Sequence, residues 1–180
     1  MEQNINDGEV IVYTGGGKGK TTASLGLALR AIGYHKKVCM IQFIKGTWFT
    51  GEINAVKRLS PEFELVRAGK GFIKILDDKS PFSLHKKAAT EAIQIARDKI
   101  SSEKYDIVIL DEINYALHGK LVKLKDVLSL IKTRPKKTTL ILTGNYAHPK
   151  IIKLADLATE MRKIKHPYDK GLLAKPGIDF

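Results

Sequence analysis

A chain of 180 residues, 43% of them hydrophobic, suits one globular domain, residues 1–180, with an ordinary core, and it has no apolar stretch long enough to span a membrane. Its polar, acidic start is wrong for a secretory signal, and its single cysteine, Cys39, excludes an intrachain disulfide framework or a cysteine metal cluster, so a cytoplasmic protein is expected. The 31 Lys+Arg against 19 Asp+Glu give a formal charge of +12 and a pI near 9.7, which suits nucleotides, nucleic acid or carboxylated substrates and equally a solvated lysine-rich surface.

Val10 to Tyr13 reads as a short buried strand that runs into a glycine loop. The string GGGKGKTT (15–22) then enters a helix with Leu25, Ala28, Leu29 and Ile32 on one face, closed by Gly33. Val38 to Ile44 is a second strand, residues 50–59 a short helix, and Phe63 to Val66 a third strand. Ser80-Pro81 opens a long helix whose buried side carries Leu84, Ala88, Ala92, Ile95, Ala96 and Ile100. Ile107 to Leu110 is the strongest strand pattern in the chain and ends at Asp111-Glu112. Leu124, Val127, Leu128 and Ile131 form another helical stripe, stopped by Pro135. Thr138 to Thr143 is a fifth strand, followed by a short helix near 149–156 and a last strand near 159–164. Alternating strands and helices with near-continuous apolar strands predict an α/β fold: a mostly parallel central sheet with helices on both faces. Ligands of such sheets sit beyond the C-terminal strand ends. Three polar clusters fall there: Gly15–Thr22, Asp111–Asn114 and Gly144–His148.

The glycine loop departs from the usual G-x-x-x-x-G-K-[ST] phosphate loop. With Gly19-Lys20-Thr21 aligned on its end, the first glycine of the pattern falls on Thr14. Gly15, Gly16, Gly17 and Gly19 still let successive N–H groups form an anion nest at a helix N-terminus. Lys20 would neutralise phosphate oxygens, the Thr21 hydroxyl would coordinate Mg²⁺, and Lys18 adds a second positive charge. Asp111-Glu112 resembles a Walker B pair, in which one carboxylate holds Mg²⁺ directly or through water. The other does the same or acts as a base. The five histidines have no metal-ligand spacing and read as surface residues. From these residues alone a small P-loop ATPase or kinase, or a RecA-like nucleic-acid-binding module, remains open.

The whole pattern resembles the ATP:corrinoid adenosyltransferases, which act on cob(I)yrinic acid a,c-diamide or cob(I)alamin in cobalamin synthesis and salvage. The resemblance rests on GGGKGKTT (15–22), GLALRAIG (26–33), QFIKG (42–46), Gly71-Phe72 and LDEINYAL (110–117). It continues through LTG (142–144), ADLATEMR (155–162), KHPYDKG (165–171) and GIDF (177–180). It implies a RecA-like P-loop fold, a homodimer, and ATP bound to the loop in the reverse sense to an ordinary NTPase. The implied reaction is attack of a cob(I) corrinoid on the ribose 5′-carbon, with triphosphate leaving whole. Nucleotide binding falls to Gly15, Gly16, Gly17, Lys18, Gly19, Lys20, Thr21 and Thr22, with Lys20, Thr21, Glu112 and Phe72 as catalytic residues. Mg²⁺ falls to Thr21 and Glu112, with Asp111 assisting the metal or orienting the loop.

A flavodoxin-like reductase is the implied electron donor, and neither a membrane nor nucleic acid is an expected partner. Two positions depart from the family. Gly16 stands where asparagine is common, which removes a polar contact with the nucleotide. Lys74 stands where a tryptophan is expected in the aromatic wedge G-x-G-F-x-W, so Phe72 acts there without it or Trp48 or Phe49 substitutes.

Overall fold

A computed structural model describes residues 7–46, 48–71 and 80–180. Strands β1 (Val10–Thr14), β2 (Val38–Gln42), β3 (Phe63–Arg67), β4 (Ile107–Asp111), β5 (Thr139–Thr143) and β6 (Leu157–Glu160) form one sheet. Their order is β3-β2-β4-β5-β1-β6, and every neighbouring pair is parallel. Helices α1 (Lys20–Ile32), α2 (Glu52–Arg58), α3 (Phe82–Ser101), α4 (Ile113–His118), α5 (Leu124–Thr133) and α6 (Pro149–Ile152) occupy the connections. A 3₁₀ turn at Pro167–Lys170 precedes an irregular tail.

The strands' two-residue period divides the core between two faces. Val12, Ile41, Val108, Leu110 and Leu142 pack towards α3, α4 and α5, while Ile11, Met40, Ile109 and Ile141 pack towards α1 and α2. Both faces are therefore covered, which is why the parallel strands read as unbroken apolar runs. Among the described residues no helix is long and apolar enough to cross a membrane.

Several expectations shift. The buried stripe of α3 begins at His85, which is 2% exposed, while Leu84 is 48% exposed. His85, Ala88, Ala89, Ala92, Ala96 and Ile100 form an i, i+3, i+4 series, and Leu84 lies one step off it. His85 is thus a core residue, not a surface histidine. β6 ends at Glu160, opposite Thr14, because β1 turns into the glycine loop there and the regular ladder cannot continue. α4 follows the two carboxylates directly and was not expected.

Because β5 lies between β1 and β4, the end of β5 touches both the glycine loop and the carboxylates. The site forms across these three strand ends.

Candidate active site

The glycine loop is pressed against the backbone beyond β6. Gly15 has φ +97, and a Cβ there would stand 2.5 Å from the Met161 carbonyl oxygen. Gly17 N–H donates to that same oxygen at 2.7 Å. Only glycine permits both the left-handed conformation and this approach. Lys20 opens α1, so the loop amides and the positive end of the helix share one concavity. Its ammonium donates to the carbonyls of Gly15 and Gly17, both at 2.8 Å. Burial lowers the Lys20 pKa, with Glu112 and Asp111 working against that shift.

Asp111 ends β4 fully buried. Its Oδ1 accepts hydrogen bonds from the hydroxyls of Thr21 and Thr143, each at 2.8 Å. Thr143 Oγ1 in turn accepts from the Glu112 N–H at 2.9 Å. Glu112 has φ +64 at the N-cap of α4, a conformation that costs a non-glycine residue about 1–3 kcal/mol and recurs at functional sites. Opposite it, Gly144 has φ +115, and a Cβ there would stand 3.2 Å from Glu112 Oε2 and 2.9 Å from the Tyr115 nitrogen. Burial, reinforced by the neighbouring Asp111 charge, raises the Glu112 pKa to about 7, and Lys20 and Lys45 only partly counter it.

A second layer braces the carboxylates. Gln42 on β2 is in register with Asp111 on β4, and its amide donates to Glu52 Oε1 at 2.9 Å. Lys45 bonds the same oxygen at 2.9 Å and stands 3.4 Å from Asp111 Oδ2. Burial opposes the charge on Lys45, yet Asp111 and Glu52 together hold its pKa above the usual lysine value. Gln42 and Lys45 belong to the QFIKG block, but nothing in that string says that they meet Asp111. Nor was Glu52 expected here.

A cavity of about 640 Å³ opens beside these groups, within the range that takes a nucleotide-sized ligand. Lys18, Lys20, Thr21 and Glu112 line one side. Leu25 and Leu29 of α1 and Val56 and Leu59 across α2 give it an apolar wall. The tail from Gly177 to Phe180 returns to close it. Leu29 is 60% exposed because it borders this cavity and not the core.

The expected loop residues Gly15–Thr22 and the carboxylates Asp111 and Glu112 thus come together. Phe72 and Lys74 lie outside the described residues. Trp48 and Phe49 are exposed just beyond β2. In the third expected cluster, Tyr146 stacks on His118 at 4.1 Å between ring centres. Asn114, fully buried, has no hydrogen-bond partner for either amide atom among the described residues.

Among the described residues no three His, Cys, Asp or Glu side chains form a ready metal cage. The oxygen atoms here that could take a cation are the Thr21 hydroxyl, the Glu112 carboxylate and Asp111 Oδ2, which has Lys45 Nζ at 3.4 Å. Such hard oxygen donors, few in number, fit Mg²⁺ carried in by a polyphosphate that supplies further ligands.

Comparison with known proteins agrees with this chemistry. A family model described as ATP:corrinoid adenosyltransferase BtuR/CobO/CobP matches residues 6–180. The chain is 39% identical over 173 residues to a corrinoid adenosyltransferase of Escherichia coli, covering 96% of this chain and 86% of that one. It is 38% identical over 174 residues to the corrinoid adenosyltransferase CobA of Salmonella typhimurium, with the same coverage. Among solved structures, the flagellar accessory protein FlaH of Methanocaldococcus jannaschii matches with a TM-score of 0.56 at 15% identity. That match covers 86% of this chain and 71% of FlaH, and it speaks for the fold alone.

Proposed function

This chain belongs to the ATP:corrinoid adenosyltransferase family and transfers the adenosyl group of ATP to a reduced corrinoid; we propose that Lys18, Lys20, Thr21 and Glu112 carry that transfer by holding the triphosphate as leaving group. The supporting observation is the Thr21–Asp111 hydrogen bond, which brings the anion-binding loop and the carboxylates to one edge of the cavity.

In the reaction a cobalt–carbon bond forms at the ribose 5′-carbon while the 5′-carbon–oxygen bond breaks. The electron pair of the broken bond leaves on triphosphate. Cob(I) is itself a strong nucleophile, so the protein need supply no general base. Its work is alignment and stabilisation of charge on the departing oxygen. The loop N–H groups and the positive end of α1 cradle the phosphates. Lys20 exchanges its carbonyl partners for phosphate oxygens, and Lys18 adds charge at the rim. Bound with ATP, Mg²⁺ would neutralise triphosphate charge, held by Thr21 and Glu112. Asp111 orients Thr21 and Thr143, and Lys45 keeps Asp111 from standing as an uncompensated buried charge.

The nucleotide lies in the reverse sense to an ordinary NTPase, with the 5′-carbon directed to the corrinoid. Phe72 serves at the lower face of the corrinoid, in the segment where Lys74 replaces tryptophan. The protein works in the cytoplasm as a homodimer and draws its electron from a flavodoxin-like reductase. Its corrinoid is cobalamin or cobyrinic acid a,c-diamide.

Anaerobic incubation with MgATP and chemically reduced cobalamin tests the reading. Light-sensitive adenosylcobalamin and stoichiometric triphosphate support it. ADP release without a cobalt–carbon bond favours a P-loop ATPase or kinase and sinks it.

A further inference from the structure

Both cations of the glycine loop are engaged by oxygens of the protein itself. Lys20 holds two loop carbonyls, while Lys18 reaches a distant carboxylate, with Nζ 2.5 Å from Asp179 Oδ1. Asp179 is held in place by a compact turn. Its Oδ2 accepts from the Lys175 N–H at 2.8 Å, its own N–H donates to the Lys175 carbonyl at 2.8 Å, and Gly177 N–H donates to the Phe180 carbonyl at 2.7 Å. Lys18 and Asp179 line the same cavity as Lys20 and Thr21. The pair keeps contact with solvent, its side chains being 40% and 23% exposed. It is an exchangeable contact at the rim of the phosphate site.

We propose that Asp179 is a tethered competitor for the leaving group: its carboxylate and a triphosphate oxygen contend for the Lys18 ammonium, so Asp179 loosens the hold on triphosphate. The inference rests on the phosphate-binding role of the loop proposed above. The need for it follows from charge. Free triphosphate carries more negative charge than the same group esterified in ATP, so a loop built to stabilise the departing anion holds that group more strongly once it is free, which works against product release. A carboxylate fixed beside one loop lysine opposes the more highly charged anion most, and so narrows that difference.

Isothermal titration of inorganic triphosphate with Mg²⁺ tests this without depending on adenosyl transfer. Asp179→Asn keeps an acceptor for the Lys175 N–H but loses the charge, and is expected to bind triphosphate about two- to fivefold more tightly, the scale of an exposed ion pair. Asp179→Glu is expected to stay near the parent value. In a Lys18→Ala background, Asp179→Asn should no longer matter. Deleting residues 177–180 removes carboxylate and turn together and should tighten binding likewise, which covers the case of a disturbed tail. Unchanged or weaker triphosphate binding by Asp179→Asn overturns the proposal while leaving the phosphate loop intact. A parent protein that binds no triphosphate overturns both.

Discussion

The Thr21 hydroxyl donates a 2.8 Å hydrogen bond to Asp111 Oδ1, joining the first turn of α1 to the end of β4 across 90 positions of chain. Thr143 donates to the same oxygen from the end of β5, so one buried carboxylate ties three structural elements together. Asp111→Asn keeps a carbonyl oxygen for both hydroxyls but turns an amide N–H₂ towards Lys45, now 3.4 Å from Oδ2. Lys45 retains Glu52, so the loss should fall somewhat below that of a fully broken buried pair, about 2–3 kcal/mol. Denaturant melts of the variant should show it, and adenosyl transfer should fall on the order of 10²-fold or more. A variant as stable as the parent would show that this carboxylate is not the junction inferred here.

Lys20 calls for the opposite pattern. Its ammonium bonds two loop carbonyls in a partly buried setting, and burial already lowers its pKa. Lys20→Ala should therefore leave the melting midpoint close to the parent's. Transfer from ATP should nevertheless fall by about 10²–10³-fold, the scale of losing one preorganised contact to a developing anion. Steady-state kinetics beside thermal melts separate the two; a large stability loss matched by a small rate loss would assign Lys20 to the fold.

Gly16 is the loop glycine with room. A Cβ there would meet only Asn145 Nδ2, at 3.9 Å, whereas at Gly15 and Gly17 it would collide with backbone. A side chain can therefore leave the backbone at position 16 without a clash at its β-carbon. Gly16→Asn should tighten ATP binding by about two- to tenfold, the worth of one net hydrogen bond, with no loss of stability because the unfolded chain also loses freedom. Weaker ATP binding in a direct titration would show that this loop holds the nucleotide differently.

The sequence made the glycine loop, the apolar run before Asp111-Glu112 and the parallel sheet legible, because each is written in consecutive residues. The brace around the carboxylates was not legible. Lys45 reaches Asp111 only because β2 pairs with β4, an adjacency created by crossovers between segments about seventy residues apart. Thr143 acts only because β5 inserts between β1 and β4. Asp179 lay in a recognised block, GIDF, yet its meeting with Lys18 depends on how the tail folds back. Leu84 and His85 were misplaced for a simpler reason: neighbouring helix positions point about 100° apart. Residue type alone favours the leucine over the histidine for the core, although the rest of the stripe, Ala88 to Ile100, lies on the side of His85.

Glu112 links the site to pH. Its folded pKa is raised to about 7 from the ordinary 4.5, so between those values the folded chain holds a proton that the unfolded chain has released. The contribution of Glu112 to the stability of the ligand-free protein then falls as pH rises through this window, because this group binds more protons in the native state there. At roughly 1.4 kcal/mol per unit, the full effect is on the order of 3 kcal/mol. Glu112→Gln removes the titration: the variant should be more stable than the parent above pH 7, with the gap shrinking towards pH 5. Activity should move the other way: in the reading proposed above Glu112 brings a negative charge to the Mg²⁺ that accompanies ATP, and the neutral variant should lose on the order of 10²-fold in transfer at pH 8. Melts at pH 5.5 and 8 for both proteins decide the matter. Parallel pH profiles would mean that the Glu112 carboxyl titrates near its ordinary value and is not held in the buried, strained position that sets it beside Asp111.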